Sequence, residues 1–142
     1  MKWVIFEFLR CVTVRPFNSH PRRYWDKNKR KFISLWKLKE QLDADLFLVN
    51  YEDSREQFLK IEVLDLNSAG IQDENAERMN KTEFFSYFKE VNRRARVSTN
   101  NPHSKPISKP DEGSKKLIID ILDGEPTGGF DVDSIYHIDD ER

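Results

Sequence analysis

The sequence predicts an α+β fold: a small sheet of three to four strands in the order β-α-β-β-α, covered by two helices and followed by a flexible acidic C-terminal tail. Three observations lead there. The first fourteen residues alternate and are rich in Val, Ile, Phe and Trp; leucines recur at helical spacing after Ser34; and a phenylalanine stripe follows an Asn-x-x-Glu signature at Asn80. A chain of 142 residues has room for one core. Residues 1–97 are expected to form the globular domain, 98–114 a linker, and 115–142 a short strand or docking segment with the acidic tail.

Lys2 to Thr13 reads as a strand, stopped by Arg15-Pro16 because proline has no amide to give a ladder. Residues 16–31, "PFNSHPRRYWDKNKRK", contain turn formers without an apolar period and read as a loop. Ser34 can cap a helix, after which Leu35, Leu38 and Leu42 form one stripe with Lys37, Lys39 and Glu40 around it. Asp45 to Tyr51 and Gln57 to Leu66 are strand-like runs joined by "EDSRE", a hairpin. Asn80 and Glu83 have the spacing of a capping box, and Phe84, Phe85, Phe88 and Val91 mark one face of a helix over 81–94. Beyond it, "LIIDIL" (117–122) reads as a short strand, and "DGEPTGGFDVDSIYHIDDER" as the acidic tail.

Composition bounds the function. No run of about 18 apolar residues exists, and Glu7 and Arg10 interrupt the apolar start where a signal peptide would be continuous, so a cytoplasmic protein without a membrane partner is expected. Cys11 is the only cysteine, which excludes an intrachain disulfide and a CxxC metal knuckle. His20, His103 and His137 are scattered and give zinc no ligand set.

The net charge of −1 hides a segregation: residues 1–40 carry +8, 41–90 carry −7, 91–110 carry +5 and 111–142 carry −7. Such blocks steer charged partners. Within the first, Arg22, Arg23, Lys27, Lys29, Arg30 and Lys31 can meet phosphates and Phe17, Tyr24 and Trp25 can offer faces for stacked bases, the alternative being a solvated basic loop whose Trp25 and Tyr24 tuck into the core. Arg93, Arg94 and Arg96, followed by Lys105 and Lys109, extend this surface or simply complement a helix C-terminus. The tail carboxylates, with Phe130, Ile135 and Tyr136 among them, fold over the basic loop, recruit a basic partner or solubilise the chain.

One further constellation involves carboxylates. Asp45 opens one strand of the hairpin and Glu62 lies inside the next, a pair of hard oxygen ligands for a divalent metal. Residues 34–66 here resemble the core of the restriction-endonuclease-like, PD-(D/E)XK, nucleases, whose pattern is an Asp, a hairpin loop and Glu-X-Lys. The resemblance implies Asp45 and Glu62 as ligands of Mg or Mn and Glu40 as a helical carboxylate. It departs from the family at Leu64, where the catalytic Lys should stand, leaving Lys60 as a substitute on the face of Glu62. A turn of five residues, 52–56, would pair Tyr51 with Gln57, pack Phe47 and Val49 against Ile61 and Leu59, and turn Asp45 and Glu62 to opposite surfaces, whereas a one-residue slip or a bulge would put Asp45 opposite Glu62.

These features predict a small non-enzymatic binding protein that uses its basic-aromatic loop on nucleic acid or on a nucleic-acid-handling protein, without a cofactor. Its size and charge suit an accessory or inhibitor protein of a phage or mobile element. The alternatives are a metal-dependent nuclease and a structural, oligomer-forming protein.

Overall fold

The computed structural model describes residues 2–97, 117, 121 and 134–138. They form an α+β fold: β1 (Lys2–Arg10), α1 (Trp25–Leu42), β2 (Asp45–Tyr51), β3 (Phe58–Asn67), β4 (Gly70–Met79), α2 (Lys81–Val97) and β5 (Ser134–Ile138). The five strands make one mixed sheet in the order β4-β3-β2-β1-β5. β1 and β2 are parallel, β2-β3-β4 is an antiparallel meander, and β5 pairs antiparallel with β1.

Two apolar layers follow from the strand alternation. On one face Val4, Phe6, Phe8, Val49, Tyr51 and Phe58 meet Phe84, Phe88 and Val91 of α2. On the other Ile5, Leu46, Leu48, Leu59, Ile61 and Val63 meet Phe32 and Leu35 of α1. Each helix therefore covers one face of the sheet.

Several elements differ from the sequence-based expectation. The first strand ends at Arg10, and α1 begins at Trp25 rather than after Ser34, which lies exposed in mid-helix. Trp25 and Phe32 start the apolar stripe two turns early and their rings lie 6.1 Å apart, with six polar residues between them hiding the period. The expected loop over 16–31 is thus two short 3-10 turns, Pro16–Asn18 and Pro21–Tyr24, followed by helix. α1 stops where Asp43 turns left-handed, φ 51°, and Ala44 N–H donates to Lys39 O at 2.9 Å.

β4 was not expected. It is an edge strand whose outward positions are mostly polar, so it lacks the alternation that marks a half-buried strand. The capping box does form: Glu83 N–H donates to Asn80 Oδ1 and Asn80 N–H to Glu83 Oε1, both at 2.8 Å. Leu117 and Ile121, expected in a strand, are instead helical positions four apart, both buried against the α2 layer. The core and sheet thus draw on residues beyond 97. The expected linker over 98–114, Lys105, Lys109 and the tail carboxylates lie outside the described residues.

Candidate nucleic-acid interface

β1 and β2 run in parallel, so their carboxyl ends lie side by side, and α1 starts from that same end. In α/β units this is where ligands bind, because strand ends, loops and a helix N-terminus converge there. The segment between β1 and α1 is pinned from four directions. Cys11 N–H continues the ladder to Tyr51 O at 2.8 Å. The Arg15 guanidinium holds the Glu52 carboxylate with two bonds, 3.0 and 2.6 Å, and reaches Glu56 at 2.9 Å. The Asn50 amide, 1% exposed, donates to Pro16 O at 3.2 Å and Ser19 O at 2.7 Å. His20 Nε2 meets Glu74 at 2.7 Å, while its Nδ1 accepts from Arg22 N–H at 3.0 Å, which places the ring proton on Nε2.

Two titrations are perturbed in this segment. The Arg15 guanidinium beside Glu52 holds that carboxyl below the usual range. Burial, with a smaller contribution from Glu52, pushes the Cys11 thiol up.

Under the pinned segment lies a cavity of about 570 Å³, lined among others by Glu7, Cys11, Ser19, Tyr24, Lys27, Asn28, Lys31 and Asn50. Glu7, only 4% exposed, forms its floor, with Lys31 Nζ 2.7 Å from one carboxylate oxygen. Tyr24 lies at the mouth, 38% exposed, its hydroxyl bonded to Ser19 Oγ at 3.2 Å. Lys27 and Lys31 are one turn apart on the same face of α1.

The first two turns of α1 carry Lys27, Lys29, Arg30 and Lys31 against Asp26 alone. Cations at a helix N-terminus oppose its dipole, so this end of the molecule is a positive focus that an anion would relieve. Lys27, Lys29 and Arg30 form no ion pair among the described residues. Arg22 is drawn to Glu74 at 3.3 Å, and Arg23 donates to Asn18 O at 2.6 Å, leaving both side chains exposed at the edge of the same region.

Of the three aromatics proposed as stacking faces, one remains. Trp25 packs on Phe32 in the α1 layer, and Phe17 is half-buried there beneath the Arg78 guanidinium, 5.2 Å from its ring. Tyr24 is the exposed one.

Arg93 and Arg94 do not extend this surface. β4 runs in the direction of β1, so α2, like α1, returns from the carboxyl end of the parallel pair, and its last turns lie at the opposite end and on the other face of the sheet. Arg93 is held by Glu90 in two bonds of 2.9 and 2.6 Å. Arg96 belongs to the last turn of α2.

The carboxylate pair needs a correction of register. Tyr51 pairs with Phe58, Val49 with Lys60 and Phe47 with Glu62, one residue away from the expected alignment. The shift arises because Gln57 leaves the ladder: its N–H donates to Glu52 Oε2 at 3.1 Å and its side-chain oxygen accepts from Phe17 N–H at 3.3 Å. Asp45, Lys60 and Glu62 therefore share the α2 face rather than pointing apart. Phe47 and Val49, expected against Ile61 and Leu59, lie on the opposite face from them.

Asp45 and Lys60 are partnered there by protein groups. Asp45 meets Lys2 Nζ at 2.7 Å, and Lys60 Nζ lies 3.3 Å from Glu77 and 3.9 Å above the Tyr87 ring. Burial, then the carboxylates of Asp45, Glu62 and Glu77, push the Tyr87 hydroxyl far up, keeping it neutral. Glu40 sits exposed on α1, across the sheet from this pair. Among the described residues no group of three or more His, Cys, Asp or Glu could hold a metal ion.

Pattern reasoning missed Glu7 and Asn50. The available signal was their position: each is a polar residue at an apolar phase of a strand, in "VIFEFL" and "LFLVNY". Comparison with protein-family models, with curated proteins and with solved structures gives no match. Among the described residues no helix is long and apolar enough to cross a membrane.

Proposed function

We propose that the protein is a non-enzymatic binding protein for single-stranded nucleic acid, engaged at the carboxyl end of β1 and β2 by the segment from Pro21 to Lys31. The observation that carries this is the cavity at that end, lined by Lys27 and Lys31, with Lys29 and Arg30 on the same first two turns of α1. A backbone of phosphates would neutralise cations that the helix dipole disfavours. Tyr24, exposed at the mouth, offers a π-face to a base, a contact contributing about 1–3 kcal/mol.

The test is a salt titration of binding to a fluorescent single-stranded oligonucleotide. Each lost phosphate contact lowers the slope of log affinity against log salt by about 0.7, so replacing Lys27, Lys29 and Arg30 together by Ala should lower it by about 2. An affinity that is salt-independent, or untouched by the triple replacement, would sink the proposal. Hydrolysis of the oligonucleotide with Mg or Mn, lost in Asp45→Ala and Glu62→Ala, would instead establish the nuclease alternative.

A further inference from the structure

We infer that the cavity at the end of β1 is a pocket for one nucleotide, the terminal residue of a strand carrying a phosphomonoester. This rests on the nucleic-acid reading above and specifies which part of the strand the site holds.

Size comes first. At about 570 Å³ the cavity lies within the range of about 300–1,000 Å³ usual for small-molecule sites, enough for one nucleotide and too little for a run of them.

The polarity of its lining then orients that nucleotide. Glu7 at the floor lies 2.7 Å from Lys31 Nζ, and a carboxylate in such an ion pair accepts hydrogen bonds and donates none. A carboxylate repels phosphate, so the deep part of the pocket suits hydrogen-bond donors: a sugar hydroxyl or the exocyclic amine of a base. Phosphate belongs at the rim beside the exposed Lys27, with the part-exposed Lys31 ammonium, one turn on, between it and Glu7. Lys31 can serve both groups, its ammonium carrying three donors. Tyr24 at the mouth completes the lining with a face for the base or its neighbour.

The terminal position follows from what surrounds the cavity. Beyond Cys11, Val12 and Val14, which line both spaces, a smaller hollow is bounded by Arg15, Glu52 and Asp53, with the two carboxylates held by Arg15 and Arg10. A strand threading onward would have to compete with those carboxylates for guanidinium groups that each already holds in two bonds. A strand that ends in the cavity avoids that competition, and its terminal phosphomonoester, carrying about −1.5 to −2 charges at neutral pH, is drawn to Lys27 and to the Glu7-paired Lys31 more strongly than a singly charged diester.

The experiment compares four labelled strands of one sequence with the full-length protein: 5′-phosphorylated, 3′-phosphorylated, hydroxyl at both ends, and circular. One of the two phosphorylated strands should bind at least about tenfold more tightly than the hydroxyl strand. That advantage should be competed away by a nucleoside monophosphate but not by the nucleoside. It should disappear in Lys27→Gln, an exposed position where the fold is not at stake, and weaken in Tyr24→Leu. Equal affinity for all four strands would overturn the pocket assignment while leaving single-strand binding intact. Failure of every strand to bind at low salt would overturn both.

Discussion

Asn50→Asp tests the link between the core and the candidate site with a change of one atom group. The Asn50 amide is buried and its two N–H groups donate to Pro16 O and Ser19 O, at 3.2 and 2.7 Å, fixing the turn that roofs the cavity. A neutral Asp can donate once at most; an ionised Asp cannot donate and faces two carbonyl oxygens. Two buried hydrogen bonds contribute about 2 kcal/mol together, and stranding their acceptors raises the loss to about 2–4 kcal/mol.

The carboxyl also acquires a pKa above its unfolded value, because burial and the carbonyl dipoles disfavour the charge. A raised folded pKa means the loss is smallest below the unfolded value of about 3.9 and grows as pH rises toward the folded one, by about 1.4 kcal/mol for each pH step of one between the two values. Urea unfolding of wild type, Asn50→Ala and Asn50→Asp at pH 4 and pH 7 measures this. Asn50→Asp should be the least stable of the three at pH 7 and approach Asn50→Ala at pH 4. An Asn50→Asp protein within about 0.5 kcal/mol of wild type at pH 7 would refute the assigned role of the amide.

Other consequences follow from single contacts. The Glu52 carboxyl is held low by Arg15, so its contribution is present above the ordinary Glu range and is lost as pH falls through the lowered folded value; acid unfolding of Arg15→Met should show a shallower loss over that range than wild type, and parallel curves would contradict the pairing. Gly70 has φ 133°, and a Cβ there would meet only ordinary contact with Trp25, at 3.8 Å, so Gly70→Ala should cost about 1 kcal/mol or more through the backbone alone in chemical denaturation. An unchanged midpoint would argue against that turn geometry. The Cys11 thiol, pushed up by burial, should alkylate more slowly at neutral pH than an unfolded control in urea, and equal rates would contradict its placement.

The sequence made the fold class legible because the strongest local signals agreed with the final structure. The alternating amino-terminal strand, the hairpin and the Asn80/Glu83 capping box all rest on contacts within a few residues or on simple periodicity. The rest depended on distant partners. α1 starts early because Trp25 finds Phe32 and the sheet, a stripe hidden among lysines. β4 is recruited by β3 despite its polar sequence. The hairpin register turned on one side chain, Glu52, taking the amide of Gln57.

The candidate site divides along the same line. The basic residues of its rim could be read directly, but Glu7, Ser19 and Asn50 come together only because two parallel strands end side by side. Charge pattern alone joined Arg93 and Arg94 to the basic loop; the sheet separates them onto opposite faces and ends.

The most direct test of the central claim is a titration of the isotopically labelled protein with a phosphorylated single-stranded oligonucleotide, followed by amide chemical shifts. Single-strand binding at the carboxyl end of β1 and β2 predicts shifts confined to residues 7–14, 19–31 and Asn50. Shifts centred on Asp45, Lys60, Glu62 and Tyr87, or on the end of α2 at Arg93 and Arg94, would contradict it.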